Sequence, residues 1–170
     1  MSDQSISMSL PLDSDGFLRR ECPSCKRQFK WRPAQPNDEA VPEPQENVAS
    51  PDFYYCPYCG DPAALDQWWT QEQIEYAQQL AMARVLGPEL RELGKSIQNL
   101  NRSSGGFIKA KVSLPDTSEP TSLQEPDDMI RLDFPCHPEE PLKIAGDWDG
   151  QVHCLVDGMT FPQDALRAME

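Results

Sequence analysis

The chain has 170 residues, 17 of them proline, and a formal net charge of −13. Leu, Ile, Val and Phe supply only 33 of these residues, just under the share of about a fifth expected of a chain that folds on its own apolar core. The sequence has no run of about 18 apolar residues that could span a membrane, and a chain this acidic is repelled as a whole by a polyanion.

In chain order, residues 1–16 read as a disordered N-terminus. Met1 to Phe17 contains Asp3, Asp13 and Asp15 and lacks the basic and apolar regions of a secretory signal, so the expected compartment is cytoplasmic and its thiols reduced. Residues 17–69 hold the strongest motif, Cys22-Pro23-Ser24-Cys25 and Cys56-Pro57-Tyr58-Cys59-Gly60. Each C-x-x-C pair aims two thiolates from one tight turn at a common point, and two such turns supply the sulfur tetrahedron that Zn²⁺ prefers in structural sites. Prolines after Cys22 and Cys56 preset the turns, and Gly60 suits a position of positive φ.

Short strand-like pieces flank the turns: Phe17 to Glu21, Gln28 to Trp31 and Phe53 to Tyr55. Thirty residues separate Cys25 from Cys56, against about 15–20 in the simplest four-cysteine pattern. The excess is an acidic, proline-rich insert at 33–52, with five acidic residues and no basic one. It reads as a loop bulging from the ribbon, and lengthening a loop adds little closure entropy.

This layout resembles the zinc ribbons of general transcription factors and RNA polymerase-associated proteins over residues 17–60. The resemblance implies one structural Zn²⁺ held by Cys22, Cys25, Cys56 and Cys59, and contact with nucleic acid or polymerase. Arg19, Arg20, Lys26, Arg27, Lys30 and Arg32 oppose Glu21 alone and interleave with aromatic residues such as Trp31, the mixture of a phosphate-contacting, stacking surface. The alternative is a solvated cationic face neutralised by the insert, which the net charge favours. Cys56 to Gly60 also resembles the second knuckle of rubredoxins, which would imply iron and electron transfer. Lys26 stands where that family places glycine, and the gap lacks its aromatic core.

Residues 70–104 form the expected helical segment. Thr70 and Gln73 fit a capping box, with Trp69 and Ile74 as its hydrophobic staple, opening a helix from about Gln71 to Leu86. Gly87-Pro88 should break it and start a second helix. There Leu86, Leu90, Leu93, Ile97 and Leu100 form one apolar stripe. The stripe would pack on the ribbons, fold back on Ile74, Ala77, Leu80 and Ala81, or mate with a protein partner. A strand is expected at 105–114 and an acidic linker at 115–128, with five acidic residues and again no basic one.

Residues 129–170 repeat the ribbon layout in degenerate form. Phe134-Pro135-Cys136, Leu142-Lys143-Ile144 and Val152-His153-Cys154 through Gly158 answer to pieces of the first copy, which places Cys25 opposite Glu139 and Cys59 opposite Asp157. The chain's two histidines, His137 and His153, each adjoin a cysteine. Three readings follow: a Cys/His metal site, a site completed by Glu139 or Asp157, or a ribbon without metal that packs on Phe134, Leu142, Ile144, Trp148, Leu155 and Phe161. Neighbours on a strand point to opposite faces, which argues against His153 and Cys154 serving one ion together. No phosphate loop, nucleophile elbow or H-E-x-x-H motif is present. The sequence therefore predicts an α+β, non-catalytic zinc-binding adaptor with two ribbons joined by a broken helix.

Overall fold

The computed structural model describes residues 7–32, 52–103, 113 and 115–166. It is an α+β protein whose residues fall into two compact units. One is drawn from Leu10–Gln71 and Gln124–Glu170, the other from Met1–Ser9 and Glu72–Leu123. The acidic insert at 33–52 and the strand expected at 105–114 lie almost wholly outside the described residues. No described helix is long and apolar enough to cross a membrane.

Among the described residues the first unit holds eight short strands: β1 (Leu18–Glu21), β2 (Gln28–Trp31), β3 (Phe53–Tyr55), β4 (Pro62–Ala64), β5 (Met129–Phe134), β6 (His137–Ala145), β7 (Gln151–His153) and β8 (Thr160–Pro162). β3–β4 and β7–β8 are separate hairpins, while β1-β2-β6-β5 form one antiparallel sheet. Alternation decides the faces. Phe29 and Trp31 on β2, like Leu142 and Ile144 on β6, point into one core with Leu18, Trp68, Leu132, Phe134, Val152 and Leu155, all buried. The two ribbons thus share a single core.

The halves are related by an approximate two-fold axis at the β2–β6 seam, where Lys30 stands opposite Lys143 and Trp31 opposite Leu142. Backbone bonds come in reciprocal pairs: Tyr55 donates to the Leu155 carbonyl (2.8 Å) and His153 to the Pro57 carbonyl (2.9 Å). Likewise Glu21 donates to Trp68 (3.0 Å) and Asp133 to Leu166 (3.2 Å). Gly60, at φ 73°, lies under the His153 ring, and Gly158, at φ 71°, lies under the Tyr55 ring. These pairings support an internal duplication, and they correct its register. Counting from the seam, Arg19 answers to Arg131, Arg20 to Leu132 and Glu21 to Asp133. Cys22 therefore answers to Phe134, and Glu139 has no ligand position to inherit.

The segment expected to be disordered to residue 16 contributes a residue to the interior of the sheet-bearing unit. Asp13 is buried; its carboxylate accepts the Phe17 N–H at 2.9 Å and lies 3.3 Å from Lys30 Nζ and 2.8 Å from Lys143 Nζ. The end of the expected linker is also fixed. Glu125 contacts Lys30 (2.8 Å) and Arg19 (2.9 Å), Asp128 contacts both cations, and the Pro126 carbonyl accepts from Lys30. Two like charges brought together by the seam are thereby neutralised where water cannot reach them.

In the second unit the helix opens at Gln71, as the capping box predicts, but does not break at Gly87-Pro88. α1 (Gln71–Ala81) passes through a π-turn (Met82–Leu86) into α2 (Gly87–Ser103). Gly87 keeps helical angles and donates to the Met82 carbonyl, five residues back. The wider turn makes room for Pro88, which lacks an N–H of its own. One continuous helix cannot fold back on itself, so the stripe has no cover from α1. Leu86, Leu93 and Leu100 are exposed, at 43%, 48% and 64%, and Leu90 and Ile97 are half-buried.

Candidate metal centres

Three turns in the first unit share one backbone design. In the Cys22 turn, Lys26 N–H donates to the Cys22 carbonyl and Cys22 N–H to Arg27. In the Cys56 turn, Gly60 donates to Cys56 and Cys56 to Asp61; in the Cys154 turn, Gly158 donates to Cys154 and Cys154 to Met159. The residue closing each turn is left-handed: Lys26 at φ 60°, Gly60 and Gly158 near 70°. Such a turn aims the first side chain and the residue three later at one point.

The Cys22 and Cys56 turns face each other and converge four sulfurs. Cys22 Sγ lies 3.7 Å from Cys59 Sγ, and Cys25 Sγ lies 3.7 Å from Cys56 Sγ. Sulfurs about 2.3 Å from a tetrahedral zinc stand about 3.8 Å apart. The donor set and its spacing therefore fit a divalent ion of zinc's size, and all six cysteines are free of disulfides. Backbone N–H groups of Cys25 and Tyr58 point at Cys22 Sγ and Cys56 Sγ, both at 3.4 Å, ready to stabilise thiolate charge. Burial raises the Cys22 thiol, but the Cys25 and Ser24 amides, together with the Cys56 and Cys25 thiols, outweigh it and hold Cys22 below its ordinary value. Burial pushes Cys56 up strongly and Cys59 up to about 11, so an incoming ion displaces protons.

A second convergence lies in the other ribbon. Cys154 Sγ is 3.4 Å from His137 Nδ1, which is 3.5 Å from Asp157 Oδ2; Cys136 Sγ is 4.0 Å from Asp157 Oδ1. One donor atom from each residue lies within 4.8 Å of every other. Asp157 occupies the place of Cys59 in its turn, as the sequence repeat suggests. The other two donors come from a different source. β5 and β6 continue pairing past the level of Cys22, with Phe134 opposite His137, and turn tightly at Pro135-Cys136. Cys136 and His137 are thus neighbours across a turn, free of the opposed directions that strand neighbours have.

His153 and Glu139 are not brought to this cluster. His153 Nδ1 faces the Thr160 hydroxyl (3.2 Å) and the Gly158 carbonyl (3.4 Å), and Glu139 is exposed. Of the residues expected to pack the second ribbon, Phe134, Leu142, Ile144 and Leu155 are buried, while Trp148 and Phe161 are half-buried against Tyr58 and Phe134. Packing and a donor cluster thus coexist.

The expected cationic patch is dispersed. Lys30 is wholly buried among carboxylates, and Arg19 is paired to Glu125 and Asp128. Arg20 is flanked by the Trp31 and Trp69 rings, and burial lowers its guanidinium to about 10. Arg27 lies over Trp148, and Trp31 is buried. Lys26 and Arg32 are exposed. The acidic partners come from 13–15 and 125–128, two segments that sequence reading left unfolded. The signal was present as the repeat of Lys30 and Lys143 between large apolar residues, which puts both lysines on the face opposite the core.

Comparison of the chain with protein families, with curated proteins and with solved structures finds no match.

Proposed function

We propose that this chain is a cytoplasmic, non-catalytic zinc-binding adaptor. The Cys22, Cys25, Cys56 and Cys59 ion fastens the two-ribbon unit, and the stripe on α2 docks on an apolar helix of a protein partner. The observation that carries the reading is the set of four sulfurs at tetrahedral spacing on preformed turns. The exposed leucines at 86, 93 and 100 support the docking half, since their row follows the 3.5-residue spacing of helix-to-helix seams. A transcription-related ribbon that meets nucleic acid draws less support, because Arg19 and Lys30 already have carboxylate partners. A rubredoxin-like electron carrier would betray itself by red colour and visible absorbance.

Native mass spectrometry of the full chain, purified from its own cells, tests the proposal. The expected mass includes zinc and a companion protein, and Leu93→Asp with Leu100→Asp should release the companion while the metal stays. A zinc-free chain, or a companion indifferent to those substitutions, would overturn it.

A further inference from the structure

We propose that Cys136, His137, Cys154 and Asp157 form a second divalent-metal site, one that exchanges its Zn²⁺ more readily than the four-cysteine site does. The inference goes beyond the adaptor reading and does not rest on it.

Three observations carry it. The Cys154–Gly158 turn repeats the hydrogen bonds and left-handed closing glycine of the Cys56–Gly60 turn, so two donors are held in the attitude of a zinc knuckle. The hairpin tip of β5 and β6 adds two more, giving separations of 3.4, 3.5 and 4.0 Å. Tetrahedral zinc with mixed sulfur, nitrogen and oxygen ligands places its donors about 3.3–3.8 Å apart, which the first two separations match, while the third, to the other Asp157 oxygen, is slightly longer. The face-to-edge pair of Phe134 and Phe161, with centroids 5.7 Å apart, packs in the same ribbon, so the donor cluster sits beside apolar packing.

The donor chemistry sets the class of ion. Two thiolates and an imidazole disfavour the oxygen-seeking Mg²⁺ and Ca²⁺ and suit Zn²⁺ or Co²⁺. It also sets the lability. Cys154 is buried, but Cys136 and His137 are half-buried and Asp157 lies at the surface, where its Oδ1 already accepts the Met159 N–H at 2.9 Å. A carboxylate vertex that is hydrated and shared with the backbone gives way to a competing ligand sooner than a thiolate does. Binding is a proton exchange only: the thiols release protons as sulfur–metal bonds form, and nothing is oxidised.

The test uses the full chain loaded with zinc and mixed with a pyridylazo-resorcinol chelator dye. Two equivalents should reach the dye, the first at least about tenfold faster than the second. His137→Ala should abolish the fast equivalent and leave the slow one. Asp157→Cys, which installs the residue standing at the matching place in the first ribbon, should keep two equivalents and slow the fast one; an unslowed release would overturn the lability. A single equivalent, lost on Cys25→Ser, would overturn the second site and leave the adaptor reading standing. A single equivalent, lost on His137→Ala, would support the second site and remove the adaptor's metal.

Discussion

The two ribbons of the sheet-bearing unit share a backbone plan and differ in their donor atoms. Cys56 and Cys154, each first in its turn, are both buried. Cys59 and Asp157, each fourth, are the most exposed members of their clusters. Sulfur persists at the vertex that apolar packing encloses, where a carboxylate would be costly to desolvate. The vertex that water reaches holds sulfur in one ribbon and a carboxylate, at home in water, in the other. The other hairpin shows the opposite outcome: Cys22 answers to the buried Phe134, and the lost ligands are supplied from two residues further along the tip. Backbone symmetry therefore constrains where donors can converge, while solvent access decides which donor serves.

The shared core gives the sharpest way to break this comparison. If the ribbons were independent, Cys25→Ser would unfold the first and spare the second. Leu132, Phe134, Leu142 and Ile144 pack in one cluster with Phe29, Trp31 and Trp68, so loss of the first ion should loosen both. Structural zinc contributes on the order of 10–16 kcal/mol of apparent binding energy, comparable to the whole of a domain's usual net stability of about 5–15 kcal/mol. Hydrogen exchange should show β6 amides losing protection together with those of β2. Retained protection of β5 to β8 would mean that the second ribbon stands alone.

A smaller effect probes the axis itself. Lys30 and Lys143 meet at the seam, and Asp13 Oδ2 touches both. Asp13→Ala leaves two buried ammonium groups short of a counter-charge, a loss expected to cost about 3–5 kcal/mol. Chemical denaturation would read it, and a change below about 1 kcal/mol would mean that Glu125 and Asp128 suffice for Lys30 and Asp15 for Lys143. The pH dependence follows from the directions of the shifts. Burial raises Asp13, but Lys143, the Phe17 amide and Lys30 outweigh it and hold the carboxyl below its ordinary range. Its stabilisation is complete above that range and is lost as pH falls through the lowered value. Burial lowers Lys30 and Lys143, but their carboxylate partners outweigh it and raise both. Their contribution is complete below the ordinary lysine range and is lost only as pH rises through the raised values. The wild-type seam should weaken in acid, and Asp13→Ala should flatten that acid limb.

The lysines also mark how far the sequence could be read. The C-x-x-C spacing located the first cluster, because four thiols at short fixed intervals have few other uses in a reducing compartment. Repeat matching found the second ribbon and its Asp157. The Cys/His reading named Cys136, His137 and Cys154 as well, but it also admitted His153, which faces Thr160, and Glu139, which the repeat offered because strand register, invisible in a single sequence, slides the hairpin by two residues. The helix start was legible in Thr70 and Gln73. Its continuation past Pro88 was not, since a π-turn absorbs the missing N–H and leaves no composition signature. Least legible were Asp13 and Glu125, whose segments look like solvated strings until two facing lysines give them a reason to fold.

The smallest expected effect asks how closely the halves match. A Cβ at Gly60 would lie 2.9 Å from His153 Cε1, and one at Gly158 would lie 3.0 Å from Tyr55 Cδ1; both backbones are left-handed. A left-handed non-glycine residue costs about 1–2 kcal/mol, and an aromatic ring forced aside adds about 1 kcal/mol more. Gly60→Ala and Gly158→Ala should each destabilise by about 2–3 kcal/mol, and the two values should agree within about 1 kcal/mol. Zinc release should separate them. Gly60 closes the turn of the four-sulfur cluster, so Gly60→Ala should quicken loss of the slow equivalent, while Gly158→Ala should quicken only the fast one. Equal destabilisation with exchanged or absent effects on release would show that the two turns share a shape without each holding its own ion.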